Sequence, residues 1–415
     1  MTSDRFIPLR ESSCYGFTTP PTSPNTFETE KSAVDSILPL HQKQLRFSRL
    51  KENYRTFQEE PLQTEPSHKK LFKIQKAPVK VLEAPSLLDD FYLSLMSWSR
   101  NNMIGVGLED SVYFFNFLSN SVAKHFTIPR TIDSQTFNSE TDLNNYVCGL
   151  TFNEYGDSLA TGDAVGKIYQ TDVETGKIMS SNIPHNSRVG SLHWQENLLV
   201  SGSRDKSVKL FDLRQNLLTP VFTFVGHYQE ICGLKLSPDG SMIASGGNDN
   251  QLLLWDLRKM RLLGSLGEHE AAVKALTWCP TRRSVLISGA GTADRKLRIF
   301  DTAKCEQIAK IDSGSQVCNL TFDKDGEMLI STHGYSLNQM IIWQPSRDFT
   351  HLKKEEVIIA HKLRVLYLAT SPCGKYVATG AGDETIRIWN IINRSLTAKN
   401  RRNESEISNS ALRIR

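Results

Sequence analysis

The sequence predicts an all-β fold, a seven-bladed β-propeller between a polar N-terminal arm and a short basic C-terminal tail. Three observations predict it. One stretch reads as four short strands separated by turn residues, an aromatic position in it recurs at a nearly constant interval, and several copies carry the same internal set of polar residues.

The template is residues 226–257, GHYQEICGLKLSPDGSMIASGGNDNQLLLWDL. Residues 231–236 alternate in the manner of a strand, Ser237-Pro-Asp-Gly240 turns the chain, and 242–245 begin a second strand. Gly246-Gly-Asn-Asp-Asn250 turns it again, 252–255 form a third strand, and a fourth lies near 261–266. A lone sheet of this kind cannot bury both faces, so it is stable only when stacked on copies of itself.

The copies follow the position of Trp255. It recurs as Phe211, Phe300, Trp343 and Trp389, at intervals of 44, 45, 43 and 46 residues from Phe211 onward. Thr171 stands 40 residues before Phe211, and Phe115 stands 56 before Thr171, the longer interval being taken up by a polar loop at 129–145. Seven positions mean seven blades of the WD-repeat kind, opening on Gly-His and ending on Trp-Asp.

Four blades repeat a polar set: His227, Ser245, Asp249 and Trp255; His361, Thr379, Asp383 and Trp389; and, with Phe in place of Trp, His185, Ser201, Asp205 with Phe211 and His269, Ser288, Asp294 with Phe300. Ser, His and Asp together invite a nucleophilic triad. A set that occurs once per blade is instead a scaffold device, because a catalytic centre occurs once.

Taken from its start, the chain has 415 residues, a formal net charge of +4 and 39% hydrophobic residues, enough for one large β domain with tails. No signal-peptide pattern and no run of 18 apolar residues is present, and the seven cysteines are odd in number without C-x-x-C spacing. The expectation is a soluble intracellular protein without membrane segments, most of whose cysteines are small buried hydrophobes.

Residues 1–76 are rich in Ser, Thr, Pro, Glu and Lys and predict a mostly disordered arm. Asp4-Arg5-Phe6-Ile7-Pro8-Leu9-Arg10 is a linear docking motif in its chemistry, two guanidinium groups around an apolar pair stiffened by proline. Thr19 and Ser23 each precede proline and are candidate phosphorylation sites. Basic and apolar residues interleave over 37–57, as in a short basic helix that folds on a partner or in a plain solvated segment. Residues 77–395 form the propeller, with Val79, Val81 and Leu82 supplying an outer strand to the last blade so that the ring closes on itself. The tail, 396–415, is basic. With Arg394 just before it, six basic residues stand against Glu404 and Glu406, and the chain ends on Ile414-Arg415.

Phosphate-loop, H-E-x-x-H and G-x-S-x-G motifs are absent, so the chemistry read here is that of a non-enzymatic binding protein without metal or cofactor. The basic excess lies in the tails without an aromatic stacking platform, which argues against nucleic acid. A propeller rim suits extended peptides.

At this point the residues carry a family resemblance. VLEAP, DDFYLSLMSW, RVGSLHW, SGSRDKSVKLFD, QEICGLKLSPDG, ASGGNDN, AAVKALTWCP, GAGTADRKLRIF, GSQVCNL, STHGYSLNQ, RVLYLATSP and GAGDETIRIWN occur in order, with DRFIPLR before them and Ile414-Arg415 after. The chain resembles the fizzy-related activators, substrate receptors of the anaphase-promoting complex, which is a ubiquitin ligase. The resemblance implies that Asp4, Arg5, Phe6, Ile7, Pro8, Arg10, Ile414 and Arg415 dock the ligase's tetratricopeptide-repeat subunits, two weak contacts adding on one chain. Lys69-Lys-Leu-Phe72 is similar to a further docking motif, with Phe72 departing from it. It implies that Asp90 and Glu384 take the arginine of destruction-box peptides between the first and last blades, a charge-assisted pairing. KEN peptides would meet Asn248, Asn250, Thr292, Gln316 and Arg364 on the top face.

Further implied partners are cell-cycle substrates such as cyclins, and pseudosubstrate inhibitors; the implied location is nucleus and cytoplasm. Ser97 stands where the family has Asp in LVDW, which is expected to weaken capture of the KEN lysine on the top face. Lys51-Glu52-Asn53 is itself a KEN sequence, a self-degron or a chance match. The short arm, with two proline-directed sites, predicts resistance to shut-off by cyclin-dependent kinase, as in a meiotic or differentiation-specific variant. The alternative function is a scaffold or inhibitor on the same ligase that delivers no substrate.

Overall fold

The computed structural model describes residues 46–47, 72–129, 145–215 and 218–393. Within them, seven antiparallel sheets of four or more strands surround one axis. Blade 4 shows how local sequence builds the unit. Its strands are Ile231–Leu236, Met242–Gly247, Leu252–Asp256 and Arg261–Ser265. Asp239 Oδ1 accepts from the Ser237 and Ser241 hydroxyls at 2.6 and 2.9 Å, and Gly240 takes φ 65°, so the first turn is held from within. Burial falls from the axis outward: the first three strands are almost wholly buried, and the fourth is mostly exposed. That exposure is why strict alternation marks the fourth strand least clearly.

All seven recurring positions fall in the third strand of their blades. Phe115, Thr171, Phe211, Trp255, Phe300, Trp343 and Trp389 are each at most 2% exposed. Thr171 cannot fill the space of a tryptophan; its hydroxyl donates to Leu159 O at 3.3 Å instead.

The repeated polar set is a clamp. In blade 4, Trp255 Nε1 donates to Ser245 Oγ at 2.7 Å, Ser245 meets His227 Nε2 at 2.8 Å, and His227 Nδ1 lies 3.1 Å from Asp249. The Ser245 oxygen accepts the indole proton, so its own proton goes to His227 Nε2, and Nδ1–H goes to Asp249. The hydroxyl is spent at both ends. Blade 7 repeats this through His361, Thr379, Asp383 and Trp389. Blades 3 and 5 keep the His–Ser–Asp chain beside Phe211 and Phe300, and in blade 5 Arg298 also reaches His269 and Asp294. Blade 6 holds a variant that periodicity did not mark: Trp343 Nε1 and His333 Nε2 share Ser331 Oγ at 2.7 and 2.6 Å.

The ring closes as expected. Lys80–Glu83 pairs antiparallel with Thr385–Asn393 of blade 7, and Leu82 is 1% exposed. Lys80 Nζ donates to Phe117 O at 2.7 Å and lies 4.0 Å from the Phe117 ring centre, which fastens the closing strand to blade 1. Two pairings fall before the expected start at residue 77. Phe72–Ile74 pairs with 391–393, where the blade 7 strand outruns its neighbour, and Arg46–Phe47 pairs with Glu83 and Leu82. Arg46 and Phe47 are therefore strand residues rather than part of a basic helix. Of the six described cysteines, 148, 232, 279 and 318 are buried, while Cys305 and Cys373 are exposed. Among the described residues no helix is long and apolar enough to cross a membrane. The docking motif at 4–10, Thr19, Ser23, residues 51–53, loop residues 130–144 and the tail with Ile414 and Arg415 lie outside the described residues.

Candidate peptide-binding face

Because each blade runs from the axis outward, strand by strand, its second-to-third turn and its connection to the next blade emerge at the same end of the ring. Residues 84–94 cross that end. Their apolar side chains anchor the crossing: Ala84, Leu87, Phe91 and Leu93 are at most 4% exposed. Their polar groups are tied to four different blades.

Asp90 is the centre of one tie. Its Oδ1 accepts from Tyr92 N at 2.8 Å, and its Oδ2 accepts from Arg188 Nη1 at 2.9 Å. Arg188, in the connection into blade 3, also grips Glu230 with Nε and Nη2 at 2.6 and 2.9 Å. Burial opposes the Arg188 charge, but the hydrogen bonds to Glu230 and the Asp90 charge outweigh it and hold the guanidinium above its usual pKa. Tyr92 Oη donates to Asn248 Oδ1 at 2.9 Å, and Asn248 Nδ2 donates to Gln229 Oε1 at 2.7 Å.

Asp89 is the centre of another. Arg364 Nε donates to its Oδ1 at 3.1 Å and Nη2 to its backbone O at 2.9 Å. The Tyr367 hydroxyl donates to Leu88 O at 2.7 Å. Below the crossing, Lys274 Nζ donates to Leu93 O and Leu366 O at 2.9 and 3.3 Å, between the rings of Phe91 and Tyr367. Burial lowers the Lys274 pKa to about 8.

The sequence-derived sites are distributed over this face. Glu384 is exposed on the second turn of blade 7, at φ 58°, and its Oε1 accepts from Ser86 N at 3.1 Å. Asp90 and Glu384 are thus joined to the same crossing segment, but Asp90 turns toward Arg188 of blade 3. Asn250 sits at φ 63° in the turn after Asn248, and Thr292 is exposed on the corresponding turn of blade 5. Gln316 and Arg364 converge: a Cβ on Gly334 would lie 2.4 Å from Gln316 Oε1 and 3.2 Å from Arg364 Cγ. Gln316 Oε1 is buried without a hydrogen-bond partner among the described residues. Arg364 also lies 5.3 Å from the Tyr335 ring centre.

One expectation is corrected. Ser97 does not face the top; it lies inside Met96–Trp98, the innermost strand of blade 1, and lines the axial channel, where its Oγ accepts from Phe152 N at 3.4 Å. Strand alternation points it at the axis, so the missing carboxylate changes the channel rather than the rim. Sequence reading also missed Asp89, Arg188 and Glu230. Two adjacent acids and a basic residue before an inner strand are the only signal they leave.

Residues 82–389 match the family model of the CDC20/Fizzy WD40 domain. Protein FIZZY-RELATED 3 of Arabidopsis thaliana is 41% identical over 319 residues, covering 77% of this chain and 63% of that protein. Anaphase-promoting complex subunit cdh1 of Dictyostelium discoideum is 37% identical over 351 residues, covering 77% of this chain and 44% of that protein. The chain therefore spans less than two thirds of the length of either relative. A chain in the crystal structure of a mitotic checkpoint complex superposes with a TM-score of 0.70 at 33% identity, covering 82% of this chain and 99% of that one.

Proposed function

Since the chain belongs to the CDC20/Fizzy WD40 family, we propose that it is an activator and substrate-recognition subunit of the anaphase-promoting complex, binding destruction-box and KEN-type degrons of cell-cycle proteins for ubiquitination. It acts as a receptor, not as a catalyst. The observation that carries this reading is the buried, unpartnered Gln316 Oε1 beside Arg364 at Gly334. A buried amide oxygen without a partner is costly unless something supplies a donor. An incoming peptide amide or ammonium supplies one, while Arg364 meets a carboxylate. Asn248, Asn250 and Thr292 extend the same face toward blades 4 and 5.

A destruction-box arginine has Glu384 as its exposed carboxylate, with Asp90 reached by sharing or displacing Arg188. The segments carrying Asp4, Arg5, Phe6, Ile7, Pro8, Arg10, Ile414 and Arg415 are the proposed anchors on tetratricopeptide-repeat subunits. Thr19 and Ser23 are the proposed sites at which phosphate weakens that anchoring.

The test is reconstituted ubiquitination with the purified ligase and destruction-box and KEN substrates. Wild type should drive modification of both, Glu384→Ala should lose the destruction-box substrate, and deletion of Ile414-Arg415 should weaken docking. Docking without modification of either substrate would replace the receptor reading by that of a scaffold or inhibitor.

A further inference from the structure

The channel along the propeller axis has a volume of about 230 Å³, and among the described residues its wall contains two lysines and no carboxylate. Lys274 is held at the level of the crossing segment by Leu93 O and Leu366 O. Lys235 lies in the inner strand of blade 4. By strand register its level is three residues beyond that of Lys274, roughly 10 Å further along the axis. Its Nζ has no hydrogen bond or ion pair to any described residue. At the same register in blade 3 stands His193, whose protonation burial and then Lys235 disfavour, and whose Nδ1 is already used by Leu236 N. Glu154 lines a second, more open pocket that Lys235 also borders.

Elsewhere round the channel from Lys235 the wall carries hydroxyls. Ser97, Thr151 and Thr321 occupy the same register position in the inner strands of blades 1, 2 and 6, each just before the aromatic that ends its strand. Their present bonds are long. Ser97 Oγ accepts at 3.4 Å, leaving its proton to donate, and Thr151 and Thr321 donate at 3.4 and 3.3 Å to the carbonyl of the next residue. Asn319 adds an amide to the same wall.

An enclosed ammonium with neutral donors around it and no carboxylate on the wall attracts an anion and repels a cation. Donors from several blades suit a ligand whose acceptor oxygens point in several directions. We propose that this level of the axial channel is an oxyanion site, in which Lys235 Nζ and the Ser97, Thr151 and Thr321 hydroxyls bind a tetrahedral phosphate group, with the Asn319 amide two residues nearer the crossing segment. Enclosure lowers the Lys235 pKa from its usual value, and a bound anion restores it. The ligand joins blades 1, 2, 4 and 6 at their innermost strands, so binding reads out as stability.

The test is thermal unfolding and calorimetric titration of the full chain with inorganic phosphate, with chloride at matched ionic strength as control. O-Phosphoserine forms a second arm. Wild type should show a saturable rise in Tm with phosphate beyond that in chloride. Lys235→Met should weaken phosphate binding at least tenfold. Ser97→Asp places a carboxylate on the same wall; it should also weaken binding at least tenfold and raise Tm without phosphate, which keeps the test intact if Lys235→Met fails to fold. Saturation by phosphate but not O-phosphoserine assigns the free ion, and the reverse assigns an ester. Equal responses in wild type and both variants, or no response beyond chloride in either arm, would overturn the site.

Discussion

Arg188 and Asp90, 98 residues apart in sequence, meet at 2.9 Å between Nη1 and Oδ2. The same guanidinium holds both carboxylate oxygens of Glu230, which is 9% exposed. One cation therefore pins the crossing segment to blades 3 and 4. Removing it strands a buried carboxylate. Arg188→Ala should cost about 2–4 kcal/mol in chemical denaturation, because breaking one side of a buried pair exceeds the worth of the pair itself. A loss below about 0.5 kcal/mol would show that the network is no more than a surface ion pair.

The clamp in blade 4 separates packing from polar satisfaction. Trp255→Phe should cost only about 1–2 kcal/mol, since blades 3 and 5 use Phe211 and Phe300 at that position. Ser245→Ala leaves both Trp255 Nε1 and His227 Nε2 without their hydroxyl and should cost more, about 2–4 kcal/mol. Denaturation midpoints of the two variants decide it; equal losses would mean that the hydroxyl is dispensable.

Stability should fall in mild acid. Burial pushes His193, His269, His333 and His361 below the usual 6.5, His333 to about 3. Below pH 6.5 the unfolded chain takes up protons that the folded chain refuses, so stability drops as pH falls, by at most roughly 1.4 kcal/mol per pH unit for each such histidine. The clamp carboxylates Asp205, Asp249, Asp294 and Asp383 resist burial through their histidine hydrogen bonds and sit below 3.8. Their contribution is present above that value and is lost as pH falls below it. Unfolding free energies at pH 7, 6 and 5 check the first window; a flat profile would contradict neutral buried histidines.

Leu82 is the apolar anchor of the closing strand. Leu82→Ala should destabilise by about 2–4 kcal/mol. It should also promote self-association, because loosening Lys80–Glu83 uncovers the edge of the Thr385–Asn393 strand. Light scattering during partial unfolding would reveal it, and a variant that stays monomeric there would place the closure elsewhere.

Gly334→Ala puts a methyl group 2.4 Å from Gln316 Oε1. Under the proposed function it should weaken a KEN peptide at least tenfold while leaving a destruction-box peptide near its wild-type affinity. Fluorescence anisotropy with the two peptides measures both. Equal weakening of the two would place Gln316 outside the KEN pocket.

Seven blades, their third-strand aromatics, the His–Ser–Asp clamps and the closing strand at Leu82 were all legible in the sequence. Each depends on contacts within one blade, or on an edge that must be covered, and such contacts leave a periodic trace. The blade 6 clamp escaped because His333 lies inside the strand rather than before the blade. The pairing at Phe72–Ile74 escaped because the composition of the arm conceals a strand that only an overlong neighbour calls for.

What the sequence by itself determined is the ring: a repeat of about 44 residues whose period-two strands cannot stand alone. The tertiary structure alone decided what the polar residues do once the ring has closed. It gave Asp90 to Arg188, turned Ser97 into the channel that Lys235 also lines, and brought Gln316 and Arg364 together at Gly334. Those relations join different blades, and the physical reason they leave no local trace is that side chains far apart in the chain meet only through the geometry of closure.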